Sequence, residues 1–182
     1  MYERLTVAPW IRIAWVSACL LGSCASSQGP GAQPAHPRPA APETKPGLRL
    51  PTQVQQLAYS LELSTLPKTE RFSGRTQIQL ALHEPRRTIW LHGQSLHVTE
   101  VSAEVAGRRF AGHYAQEDTD GLARVTFDTE LPAGNASLFF TYDAPFNQQL
   151  QGLYRVLSAG DSYAFTQFES VSARLAFPCF DE

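Results

Sequence analysis

The residues with the clearest chemical potential lie close to the C-terminal end, in the run Tyr163-Ala164-Phe165-Thr166-Gln167-Phe168-Glu169 and the stretch after it, through Arg174 and Phe177-Pro178-Cys179-Phe180-Asp181-Glu182. Tyr163 to Glu169 has strand composition, and alternate residues of a strand project to one side. Gln167 and Glu169 are therefore expected to share a face, with Phe168 pointing the other way into a supporting core. An amide beside a carboxylate suits a cationic group. The acid accepts a charge-assisted hydrogen bond from an ammonium, and the amide donates or accepts as the ligand requires. Spacing alone favours a plainer reading, in which Glu169 pairs with Arg174 or with solvent and has a structural role only. Arg174 and Asp181 are themselves read as structural, an arginine stapling a turn through a bidentate pair with an aspartate seven residues on. Cys179 is expected to be a small buried thiol, because a nucleophilic cysteine needs a histidine base and no local signature supplies one.

Metal and nucleic-acid chemistry find little support. Histidines stand at 36, 83, 92, 97 and 113, with no His-Glu-x-x-His and no pair at ligand spacing on a helix, so no metal is expected on this chain. Fifteen basic residues face 17 acidic ones, a net charge of -2. Arg86-Arg87 and Arg108-Arg109 are isolated pairs at turns, so no nucleic acid is expected as a partner.

The elements that must position the C-terminal residues read as antiparallel sheet. Leu57, Tyr59, Leu61 and Leu63 alternate with polar or small residues, as do Ile78, Leu80 and Leu82. Further strands are expected over 87–92, 97–105, 108–115, 123–128 and 137–142, separated by turn signals such as Glu84-Pro85, Ala106-Gly107, Asp120-Gly121 and Pro132-Ala133-Gly134-Asn135. That spacing implies an all-β fold, an antiparallel β-sandwich or saddle.

The pattern Gln167-Phe168-Glu169, four residues, Arg174, two residues, Phe177-Pro178-Cys179-Phe180-Asp181-Glu182 resembles a signature of the aminopeptidase-N family of zinc exopeptidases, near the end of their N-terminal domain. Tyr59-Ser60-Leu61-Glu62-Leu63, Phe72-Ser73-Gly74-Arg75-Thr76-Gln77-Ile78, Ile89-Trp90-Leu91-His92 and Gly152-Leu153-Tyr154-Arg155 look like earlier landmarks of the same domain, in the same order. The resemblance implies that Glu169 binds the free α-amine of a peptide substrate and that Gln167 lines the pocket for its first side chain. It also implies a zinc peptidase whose metal is held by a His-Glu-x-x-His helix and a downstream glutamate. Neither that motif nor the family's Gly-x-Met-Glu-Asn loop occurs in this sequence, so no catalytic residue is assigned here and the chain by itself is expected to be inactive. The expected partners are peptide N-termini and a catalytic domain that this sequence lacks. The competing reading is a non-catalytic lipoprotein β-sandwich that binds peptides or another protein.

The N-terminal region reads as targeting and tether. Residues 1–24 have basic Arg4 and Arg12, an apolar run from Ile13 to Leu21 too short to span a bilayer, and small residues before Cys24. Leu21-Gly22-Ser23-Cys24 resembles a lipobox, which implies that acylated Cys24 begins the mature chain; Cys19 fits the same pattern less well. Residues 25–51 hold seven prolines among Gly, Ala, Ser and Gln and read as a disordered linker. Residues 52–182 form the β domain, expected to be incomplete at its C-terminal end and to leave an unpaired edge. The expected location is the bacterial cell envelope, lipid-anchored at the outer membrane or cell surface, or periplasmic.

Overall fold

The computed structural model describes residues 44–47 and 49–181. The expected signal over 1–24 with Cys24, and most of the 25–51 linker, lie outside the described residues, as does Glu182.

Nine strands are described: β1 Val54–Ser64, β2 Arg71–Leu82, β3 Arg86–His92, β4 His97–Val105, β5 Arg108–Gln116, β6 Leu122–Leu131, β7 Gly134–Pro145, β8 Gly152–Ser158 and β9 Asp161–Gln167. The helical content of the described residues is one 3-10 turn, Ala173–Leu175. Strands β1 to β7 form one antiparallel sheet in the order β1-β2-β7-β4-β5-β6-β3, and β8 and β9 form a separate hairpin. The chain is thus all-β, and of the two expected shapes it takes the saddle, a single sheet curled into a half-barrel.

Strict alternation builds the concave face. Along β2, Phe72, Thr76, Ile78, Leu80 and Leu82 are buried while their neighbours are exposed or half-buried, as a period of two requires. Register carries the pattern across the sheet: Ile78 lies opposite Leu138 of β7, and Leu138 opposite Ala103 of β4. Each buried Leu, Ile or Phe contributes about 1.5–3 kcal/mol relative to exposure. The far strands supply Ile89, Leu91, Phe110, Val125, Phe127 and Leu131 to the same core.

The open side of the half-barrel is closed by the chain beyond β7. Leu153 of β8 and Ala176, Phe177 and Cys179 of the C-terminal segment belong to the core. Backbone bonds hold that segment down: the His92 N–H donates to the Cys179 carbonyl at 2.8 Å, and the Cys179 N–H returns to the His92 carbonyl at 2.9 Å. Tyr59 meets Phe177 edge-on at 6.2 Å, and Phe177 meets Phe168 at 5.6 Å. The segment is therefore a strap from β3 back to β1.

Two features differ from expectation. Strand β8 carried no alternation strong enough to be singled out. Strand β9 ends at Gln167, because the Ser172 N–H reaches back to the Phe168 carbonyl at 2.9 Å and winds residues 168–172 into a turn.

Candidate functional site

Glu169 stands on that turn and not on the strand. The face-sharing expected of Gln167 and Glu169 is replaced by a direct link, in which the Glu169 backbone N–H donates to Gln167 Oε1 at 3.1 Å. The amide oxygen of Gln167 thus clamps the backbone that carries the acid. Phe168, between them, packs inward on the core. The Glu169–Ser170 peptide bond is cis.

The acid lines a recess of about 460 Å³ together with Gln94, Asp120, Gln151, Ser170 and Arg174. Glu169 is exposed there, and among the described residues its carboxylate has no ion pair or side-chain hydrogen bond. Of the two partners in the plainer reading, Arg174 does not pair with Glu169, and solvent is the one that the exposed carboxylate meets. Arg174 Nε donates to Asp181 Oδ1 at 3.0 Å, and Nη2 to the Asp181 carbonyl at 2.9 Å. Nη2 also lies 2.7 Å from Oδ1, while Nη1 donates to the Asp120 carbonyl at 2.7 Å. The second Asp181 oxygen accepts from the Arg174 backbone N–H at 3.1 Å. The arginine fork therefore converges on one carboxylate oxygen and two carbonyls instead of gripping both carboxylate oxygens. Its donors are spent on the strap and the β5–β6 turn, and none of them hydrogen-bonds to Glu169.

Local sequence makes the recess possible. Gly121 has φ +87°, a left-handed conformation suited to glycine, and a Cβ there would lie 2.9 Å from Gln94 Cβ and 3.0 Å from Arg174 Cδ. The close approach lets the Gly93 N–H reach the Gly121 carbonyl and the Gln94 N–H reach the Arg174 carbonyl, both at 2.8 Å. Gln94, Asp120 and Gln151 come from three loops remote in sequence. The available sequence signal was the Asp120-Gly121 turn, which marks a tight bend but not what the bend faces.

The groups below the recess are held in their neutral or paired states. Burial pushes the Cys179 thiol up, with the Asp181 carboxylate acting in the same direction, so the buried sulfur is a thiol and not a nucleophile. Burial likewise raises the Tyr59 phenol to about 12, against the opposing hydrogen bond from the Phe180 N–H at 2.9 Å. His92 Nδ1 stands 3.3 Å from Asp181 Oδ1 at the base of the strap.

The curled sheet and its strap fall within a match to the N-terminal domain of an aminopeptidase family. The chain belongs to the peptidase M1 family, whose N-terminal domain matches residues 55–182. It is 32% identical over 147 residues to aminopeptidase M1-D of Oryza sativa subsp. japonica, covering 79% of this chain and 17% of the relative. Endoplasmic reticulum aminopeptidase 1 of Rattus norvegicus is 28% identical over 149 residues, covering 74% of this chain and 16% of the relative. Glutamyl aminopeptidase of the same organism is 29% identical over 147 residues, covering 74% and 15%. The chain thus spans about one sixth of the length of the curated relatives it matches. The family is generally zinc-dependent, but the described residues do not fit the metal: no group of three His, Cys, Asp or Glu among them could hold one.

Proposed function

We propose that this chain is the substrate-amine-anchoring, N-terminal part of a secreted or lipid-anchored zinc aminopeptidase that removes residues from the N-termini of peptides. The observation that carries this reading is the exposed Glu169 carboxylate, without an ion pair among the described residues, on a recess whose arginine is committed to Asp181 and Asp120. A free peptide α-ammonium supplies the missing positive charge. Where a catalytic domain covers the recess and excludes water, losing one member of the resulting desolvated charge pair costs roughly 2–5 kcal/mol, enough to separate a free N-terminus from an internal peptide bond. Gln167 holds the Glu169 backbone through its oxygen, and its part in this reading is to contact the first side chain of the substrate.

In a complete enzyme, zinc held by a His-Glu-x-x-His helix and a downstream glutamate would supply polarisation of the scissile carbonyl and an activated water. This chain has no His-Glu-x-x-His, so its own part is to bind and orient, and by itself it does not hydrolyse peptides. The same reading places acylated Cys24 at the mature N-terminus, with the protein in the bacterial cell envelope and residues 25–51 as the tether.

The test compares a free-amine tetrapeptide with its N-acetylated twin by NMR titration of the chain. Shifts are expected at residues 167–170 with the free amine only, and Glu169→Gln is expected to weaken that binding at least about tenfold. Equal binding of the two peptides, or no effect of Glu169→Gln, overturns the reading.

A further inference from the structure

The β5–β6 turn brings Asp120 to the wall of the Glu169 recess, and its carbonyls fasten the neighbouring parts of that wall. The Asp120 carbonyl accepts from Arg174 Nη1, and the Gly121 carbonyl from the Gly93 N–H. The shape of the turn is set by Asp118. One of its carboxylate oxygens, Oδ1, accepts from the Asp120 N–H at 3.1 Å and from the Leu122 N–H at 2.9 Å, an aspartate folding the backbone that follows it. The other oxygen, Oδ2, lies 3.2 Å from Nζ of Lys45, in the segment that leads into β1. Lys45 does not reach the turn alone. Pro46 and Leu50, both half-buried, line with it a second recess of about 390 Å³ that Asp120, Arg174 and Asp181 also line. The two recesses therefore have Asp120 and Arg174 in common. Desolvation acts to raise the Asp118 carboxyl, but the Leu122 N–H and Lys45 outweigh it and hold the group below its ordinary value.

We propose that Lys45 is a positioning residue: the segment entering β1 latches onto Asp118 and so holds the β5–β6 turn against Arg174 as a wall of the Glu169 recess. The role rests on reading that recess as the amine-anchoring site. The order of contacts runs from Lys45 to the Asp118 carboxylate, through the turn to the Asp120 carbonyl, and from there to the Arg174 guanidinium. The end of the proposed tether is then part of the recess and not a passive leash. Side-chain exposures of 50% and 32% make this a partly screened pair. Its loss should therefore change the opening of the turn by about two- to fivefold and leave global stability nearly untouched.

Amide hydrogen exchange of the full 182-residue chain reads the turn directly at the Leu122 N–H, which donates to Asp118. Lys45→Met is expected to speed that exchange about two- to fivefold, with the amide of the fully buried Ile78 unchanged, and Lys45→Arg to restore the parent rate. Asp118→Asn keeps an acceptor for the N–H groups of the turn but removes the charge, so Lys45→Met made on top of it should add nothing further. Positioning, as distinct from bracing, carries a reciprocal effect: a saturating free-amine tetrapeptide should slow Leu122 exchange in Lys45→Met back toward the parent rate. Unchanged exchange in Lys45→Met, or its full effect in the Asp118→Asn background, overturns the latch. A peptide that binds and leaves Leu122 exchange unaltered overturns the positioning role. A parent chain that binds no free-amine peptide overturns the amine-anchoring reading and the positioning role with it, while the exchange rates still decide whether the latch exists.

Discussion

At the scale of single residues, Arg174 organises the site through what it does not touch. Its guanidinium and backbone together hold Asp181 and the Asp120 carbonyl, and side-chain exposures of 13% and 12% place the ion pair in the interior of the strap. Breaking a buried pair by deleting one partner leaves the other charge desolvated, at a cost of roughly 3–5 kcal/mol. Arg174→Ala is therefore expected to lower the melting temperature by about 10 °C or more. Arg174→Lys should recover little of it, because one ammonium cannot reach three acceptors fixed by a planar fork. A thermal melt of each variant checks this; an Arg174→Ala protein melting within about 2 °C of the parent refutes the buried-pair account. Gln167 and Glu169 stood out in the sequence as residue types. Their contact did not, since alternation assumes a strand that continues, and the Ser172-to-Phe168 hydrogen bond ends this one two residues short of the acid.

At the scale of elements, the β8–β9 hairpin must be seated before the recess exists. Leu153 is buried in the core, and Ala164 and Phe168 pack against it. The hairpin's first residue, Gly152, has φ +66°, and a Cβ added there would lie 2.5 Å from Leu175 Cβ. Gly152→Ala combines a left-handed alanine with overpacking against the 3-10 turn, and should destabilise by about 2–3 kcal/mol. Chemical denaturation measures it, with an unchanged midpoint counting against the close approach. Strands facing a single core were plain in the sequence: Phe72 through Leu82 alternates without error because one side is buried and the other wet. Strand β8 was not, because its burial comes from a strap remote in sequence and leaves Tyr154 and Val156 half-buried on the other side. The same non-locality hid Gln94, Asp120 and Gln151, whose convergence depends on how the sheet curls and not on any local pattern.

At the scale of the whole molecule, the proposed arrangement is a binding domain tethered to a lipid surface by about 27 residues whose proline content favours extended, semi-stiff conformations, which at about 3.1 Å per residue gives a reach of up to roughly 80 Å. Mass spectrometry of the mature protein should find Cys24 at the N-terminus and acylated; a free thiol at Cys24 removes the anchor from the proposal. Closure of the domain has its own order. Strand β1 pairs with β2 near the start, yet Phe180 donates to Tyr59 and Cys179 bridges His92 from the far end, so the core is sealed by contacts of very long sequence separation. During translation, then, the curled sheet emerges from the ribosome with its hydrophobic hollow uncorked, and no amount of early strand pairing can shut it until residues 172–181 clear the exit tunnel. The nascent polypeptide should consequently depend on chaperone protection until residues 172–181 have been made.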